Sequence, residues 1–395
     1  MTVGEGSRHA SRNAGIDLLR GLSILLVVLH HIGLRMPLAQ TALGAFLPHW
    51  FLDGLNFNGA EAVVVFFVIS GFLITRRSQE RWLDLRSIAP AAFYRLRASR
   101  IVPLLLLLVA VLSAFDWFGV PQYVIYRPGQ SLGGAVASAL GLYLNRYEGL
   151  HGWLPGGWDV LWSLSIEEVF YLVFPIACLA LGRVRLLVPT LALLALSLPF
   201  TRAALMAAGN EIWFEKAYLP GMSAIAVGVL AALFVRASRL PNAITIRTVS
   251  AAGWLGLTSI LFAGHWVWVL VRQGNDLVLS LSAACIVVSA HWAASDHTKI
   301  SNAVRLNWLR SWGRQSYEIY LTHMFCVFGG LALYEHLGPA GPWRFLWYLP
   351  VLLTCWLLGT LLSRAFTVPV EHLLRERRAT QSAVQGVSEL TTQKG

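Results

Sequence analysis

The stretch IDLLRGLSILLVVLHHIG, residues 16–33, decides the fold class. A helix rising ~1.5 Å per residue over these eighteen positions is about 27 Å long, close to the ~30 Å hydrocarbon thickness of a bilayer. Similar apolar segments recur at 59–75, 101–119, 131–144, 164–182, 184–200, 218–235, 249–271, 277–294, 316–336 and 345–368. Of the 395 residues, 56% are hydrophobic and only 13% charged, against ~25% charged in a soluble domain. That is too little charge to cover a globular surface and more apolar side chain than one core can take. The chain therefore reads as an all-α, polytopic integral membrane protein. A cytosolic enzyme, a disordered chain and a small disulfide-stapled domain are excluded.

The segment 131–144 is short and holds three glycines, Gly133, Gly134 and Gly141. If it does not cross and the N-terminus is cytoplasmic, the outer loops keep only Arg35, Arg127, Arg146, Arg202, Lys216, Arg272 and Arg344 of the 31 basic residues. If it does cross, every later basic loop flips outward, against the positive-inside bias. Ten transmembrane helices are therefore expected, with one short re-entrant or interfacial helix. The expected organisation is a cytoplasmic N-terminal tail over 1–15, a membrane domain over 16–370, and a cytoplasmic, partly disordered tail over 371–395. Arg8, Arg12 and Arg20 before an apolar run resemble a signal peptide, but Arg20, His30 and His31 inside the run favour a retained span. The net charge of +11 would suggest nucleic acid in a soluble protein; here the loop bias accounts for it, so a lipid bilayer and no nucleic acid is expected. Cys178, Cys285, Cys326 and Cys355 show no metal or redox spacing, and no metal site is expected.

Ionisable groups inside spans cost ~2.5–3.5 kcal/mol at mid-bilayer and are functional candidates. Arg20 and His31 are eleven residues apart, which at ~100° per residue is three turns plus ~20°, so they share a helix face about 16 Å apart along the axis. Arginine holds anions bidentately and histidine exchanges protons near neutral pH; snorkelling of Arg20 to the headgroups is the plainer reading. Glu61 opens the second span, and Ser70-Gly71 offers a point of close approach. Arg95, Arg97 and Arg100 precede the third, either as a positive-inside anchor or as a phosphate clamp. In WDVLWSLSIEEVFYLVFP, residues 158–175, Glu167 and Glu168 sit at the start of a span near its outer side, with Ser165 and Tyr171 on matching faces. Ser165 and Glu168 also fit a capping box. Late in the chain, Ser316, Tyr320 and His323 follow one face.

Together these stretches resemble acyltransferase family 3 of the membrane O-acyltransferases. The resemblance rests on Arg20 and His31, Phe66 to Thr75, Arg97 with Arg100 and Pro103, Trp162 to Pro175, and Ser316 to His323, in family order. It implies transfer of an acyl group, usually acetyl from acetyl-CoA as co-substrate, to a hydroxyl of a glycan (lipopolysaccharide O-antigen or exopolysaccharide) or a glycosylated small molecule, at a bacterial cytoplasmic membrane. On this reading His31 is the general base, with Glu167 and Glu168 also catalytic. Arg20, Arg97, Arg100 and His323 would hold the acyl-CoA. Glu61, Ser70, Trp162, Ser165 and Tyr320 would meet the acceptor. The alternative is a proton-coupled secondary transporter using intramembrane Glu and His.

Overall fold

The structure is a computed structural model describing residues 13–181, 184–295, 306–337 and 341–374. Among the described residues it contains seventeen α-helices and no strand. In chain order they are α1 (Ala14–Gly33), α2 (His49–Asn56), α3 (Gly59–Trp82), α4 (Pro90–Trp117), α5 (Leu132–Leu140), α6 (Leu144–His151), α7 (Gly156–Asp159) and α8 (Trp162–Ala180). They continue as α9 (Val184–Leu196), α10 (Leu198–Ala207), α11 (Glu211–Lys216), α12 (Tyr218–Ala237), α13 (Ala243–Val271), α14 (Asn275–Ser295), α15 (Asn307–Arg314), α16 (Ser316–Leu337) and α17 (Tyr348–Leu362).

Among the described residues, eight helical stretches are long and apolar enough to cross a membrane. One of them, 243–295, is 53 residues long. It folds back on itself, because Arg272 adopts φ +50° and stacks its guanidinium over Trp268 at the turn between α13 and α14. Helix α16 adds 22 residues carrying Glu318, His323 and Glu335, which lower its apolar character but not its reach. Large apolar side chains such as Leu193, Leu270 and Leu361 face outward, as expected where lipid replaces water. The chain is a multi-pass, all-α membrane protein.

Two segments differ from the sequence reading in detail. The 131–144 segment forms only the nine-residue α5, ended at Gly141; at ~1.5 Å per residue it reaches about 14 Å, half a bilayer. The single helix expected over 184–200 is broken at Ser197, where α9 gives way to α10 and Pro199 enters its first turn; Pro is tolerated there because that N–H has no helical partner. The N-terminal tail lies outside the described residues up to position 12, and the C-terminal tail from 375, as do several basic loop residues, Arg183, Lys299 and Arg305 among them. The last span runs on as helix to Leu374 through a π-helical turn at Ser363–Thr367.

Small residues set the central packing. A Cβ on Gly71 of α3 would fall on the Ile225 carbonyl oxygen of α12, and one on Gly228 of α12 on the Val68 carbonyl of α3. Helix α1 meets α15 the same way, Gly21 against Leu309 and Gly313 against Asp17. Without a hydrophobic drive between helices in lipid, such close backbone approach is what holds them. Gly228→Val is expected to destabilise the protein by ~1–3 kcal/mol through overpacking, read as a lower thermal midpoint of the solubilised protein.

Candidate active site

Helices α1, α3, α4, α8 and α16 enclose a cavity of about 940 Å³ including its mouth. Arginines from three helices line it: Arg20 of α1, Arg77 of α3, and Arg97 and Arg100 of α4. Arg97 and Arg100 are three residues apart and so share a helix face. The carboxylates of Glu167 and Glu168 line the same cavity from α8, with Ser70, Ser163, Tyr171, Ser316, Tyr317 and Tyr320.

The polar contacts form one network. The Arg97 guanidinium lies 3.6 Å above the Tyr171 ring centroid and 4.0 Å from Glu167 Oε1. The Ser70 and Tyr171 hydroxyls lie within hydrogen-bond reach of Glu167 Oε1 and of each other, so their two protons serve two of these three contacts. The four-residue spacing of Glu167 and Tyr171 puts both on one face of α8, as read from the sequence. Arg20 donates through Nε and Nη2 to Ser316 Oγ, at 3.1 and 2.7 Å. Glu168 Oε1 is buried without a hydrogen-bond partner. Tyr317 anchors the wall by donating to the Ile101 carbonyl at 2.9 Å. A cluster with more cations than it has nearby anions, closed by aromatic and apolar walls, suits a polyanionic ligand with a long flexible arm.

The structure divides the candidate residues among several places. Arg20, Ser70, Arg97, Arg100, Glu167, Glu168 and Tyr320 line the cavity together. The two glutamates therefore do not approach from a side opposite the arginines, because α3, α4 and α8 cross at one level and bring Ser70, Arg97 and Glu167 into contact. His31 is not among the lining residues. It sits beside His323, ring centroids 5.0 Å apart, and His323 lies behind Tyr320, rings 6.0 Å apart. Tyr320 donates to the Val160 carbonyl at 3.0 Å and bonds Ser163 Oγ at 2.7 Å. His323 thus stands outside the arginine-lined cavity expected to hold it.

Three further residues also sit elsewhere. Glu61 lies within electrostatic reach of the Arg202–Asp276 ion pair and of Glu215, and does not line the cavity. Trp162 packs edge-on behind Phe67, centroids 6.2 Å apart. Ser165 is buried one turn inside α8, its hydroxyl accepting from the Leu144 N–H at 3.2 Å. The capping box with Glu168 does not form, since α8 already begins at Trp162.

Sequence reading missed Arg77 and a second buried cluster. Lys216 is 1% exposed. Its ammonium donates to Glu148 Oε2 at 2.8 Å and to Asp159, and lies 4.0 Å from the Trp153 ring centroid. Glu148 also accepts from the Leu154 N–H at 3.0 Å. Burial pushes the Glu148 carboxyl up, as does Asp159, while Lys216 opposes both. These residues lie 57 and 68 positions apart in three short helices, α6, α7 and α11, with no local pattern to mark them.

The fold and the cavity define a multi-pass membrane protein with an arginine- and carboxylate-lined cavity among its helices. The acyltransferase domain family model matches residues 13–363, and the chain belongs to this family, acyltransferase family 3. It is 26% identical over 331 residues to the peptidoglycan O-acetyltransferase OatA of Listeria monocytogenes, covering 78% of this chain and 48% of that protein. It is 27% identical over 163 residues to the O-acetyltransferase OatA of Staphylococcus aureus, covering 41% of this chain and 24% of that protein. It is 25% identical over 393 residues to the acyltransferase MdmB of Streptomyces mycarofaciens, covering 92% and 93%. The chain thus spans half or less of the OatA proteins and nearly the whole of MdmB. No solved structure matches.

Lys216→Ala leaves Glu148 and Asp159 facing each other with no cation between them. A loss of ~3–5 kcal/mol is expected from breaking such a buried pair, measured as reduced thermal stability and folded yield. An unchanged midpoint would mean the cluster contributes nothing to the fold.

Proposed function

We propose that the protein is a membrane O-acyltransferase. It moves an acyl group, acetyl by family expectation, from cytoplasmic acyl-CoA to a hydroxyl of a cell-surface or secreted glycan or of a glycosylated small molecule. The observation that carries this is the convergence of Arg20, Arg77, Arg97 and Arg100 on a cavity whose far end abuts, through Tyr320, the buried His323 and the partly accessible His31 beside it. The setting is a bacterial cytoplasmic membrane with both termini cytoplasmic, which the loop charges support. The relatives' names, peptidoglycan O-acetyltransferase among them, support a glycan acceptor.

Coenzyme A is a polyanion with a long thiol-bearing arm. Arg97 and Arg100 would take its phosphates on the inner side, where bidentate guanidinium–phosphate pairing is strong. Arg20, fixed by Ser316, meets the arm deeper along α1. Ser70 and Tyr171 hold the Glu167 carboxylate by hydrogen bonds, and Arg97 is oriented by that carboxylate and by the stacked Tyr171 ring. An acceptor hydroxyl is a poor nucleophile toward a thioester unless a base removes its proton within ~2.6–3.2 Å; His31, partly accessible on α1, supplies that base. The acceptor oxygen bonds to the acyl carbon, the C–S bond breaks, and the thiolate leaves to recover a proton as the free thiol.

The test uses purified full-length protein with labelled acetyl-CoA and a glycan acceptor. His31→Ala is expected to lower kcat by ~100-fold or more, the range of general-base contributions. Arg97→Ala is expected to raise KM for acetyl-CoA by ~10–100-fold, from loss of a charge-assisted hydrogen bond of ~1.5–3 kcal/mol. Full turnover by His31→Ala removes it as the base. Proton-coupled flux in liposomes without an acyl donor would replace this reading with transport.

A further inference from the structure

His323 is 0% exposed and its ring packs against His31. Its Nδ1 lies 2.8 Å from the Tyr320 carbonyl oxygen and 3.2 Å from that of Ile319. Carbonyls only accept, so Nδ1 carries the proton. In the neutral ring, Nε2 is then a bare lone pair. That Nε2 is buried and has no hydrogen-bond partner. A buried acceptor left unsatisfied costs ~1–3 kcal/mol, and one held in a fixed tautomer beside another imidazole fits a proton-accepting role. The same tautomer excludes His323 from donating to a thioester oxyanion through Nε2.

We infer that His323 is the second member of a histidine relay, taking through its Nε2 the proton that His31 removes from the acceptor hydroxyl. This rests on the O-acyl transfer reading. The acceptor O–H proton goes to one His31 nitrogen, and, once the His31 ring turns to bring its other nitrogen within reach of the unpartnered Nε2, the N–H there passes to His323. The acceptor oxygen forms the C–O bond as the C–S bond breaks, with the electron pair leaving on sulfur. The proton returns through His31 to that sulfur, restoring both rings and giving the free thiol. In the charged intermediate, His323 Nδ1–H still points at two carbonyl oxygens, which strengthen their bonds to a cation. His323 touches neither substrate and acts through His31, so it is a positioning residue. The ionisable groups around the pair are His30 and Arg35 of the α1 end, Asp159 of α7 and Lys216 of α11. Tyr320 adjoins it on α16, and Cys355 of α17 contacts the His323 carbonyl.

The experiment compares the wild type, His323→Asn, His323→Gln, His31→Ala and the His31→Ala/His323→Asn double variant, all as full-length solubilised protein with saturating labelled acetyl-CoA. Asparagine keeps an amide donor near the Nδ1 position. Glutamine keeps an acceptor near Nε2 that cannot hold a proton. Both single variants are expected to lose ~10–100-fold in kcat with KM for acetyl-CoA unchanged, within the range of proton-transfer contributions, and to shift the acid limb of the pH–rate profile. The double variant is expected to be no slower than His31→Ala alone, because a relay partner has nothing to act through once His31 is gone. Wild-type kcat and pH profile in either single variant overturn the inference. So does wild-type turnover restored by Gln but not Asn, or a double variant slower by the product of the two single losses. A wild type that transfers no acyl group fails earlier and overturns the acyltransferase reading itself.

Discussion

Guanidinium groups inside a lipid-embedded bundle are the constraint to which the rest of the site answers. An arginine at mid-bilayer costs ~2.5–3.5 kcal/mol on insertion scales, and this cavity gathers four. The protein meets the cost locally. Arg97 stacks on Tyr171 and faces Glu167, and Arg20 donates twice to Ser316. Glu167 in turn is held by two hydroxyls. Such an arrangement keeps cations fixed in a medium of low dielectric, where they act more strongly on an anionic ligand than the same groups would in water.

That network needs helices close enough for short side chains such as Ser70 and Ser316 to reach their partners. Glycine at the α3–α12 and α1–α15 crossings allows this, because the carbonyls of Ile225, Val68, Leu309 and Asp17 occupy the space a Cβ would need. Gly71 adjoins Ser70 in sequence, so the packing position and the polar position are set by the same turn of α3.

A different part of the bundle is organised by a second buried cluster. Lys216, Glu148 and Asp159 tie three short helices together between long ones. The adjacent rings of His31 and His323 lie between the two charged regions. Tyr320 stands at the boundary, one side on the arginine cavity and its ring against His323.

Much of this was legible in the sequence. Apolar segments of spanning length, the short glycine-bearing 131–144 segment and the helical spacing of Glu167 with Tyr171 are local properties, set by hydrophobicity and by ~100° of rotation per residue. Periodicity on one helix also placed Arg20 and His31 on a common face. It could not say that one end of that face opens on a cavity while the other is covered by α16, because that depends on which helix packs beside it. The pairing of Ser70 with Glu167, the diversion of Ser165 to Leu144, the placing of Glu61 beside Arg202 and Asp276, and the packing of His323 against His31 all rest on contacts between distant segments. The sequence by itself determined that the chain is built of apolar rods long enough to cross a bilayer and which of them carry charge; the tertiary structure alone decided which charges meet, since crossing helices choose partners by backbone proximity and side-chain shape, which no single-helix pattern records.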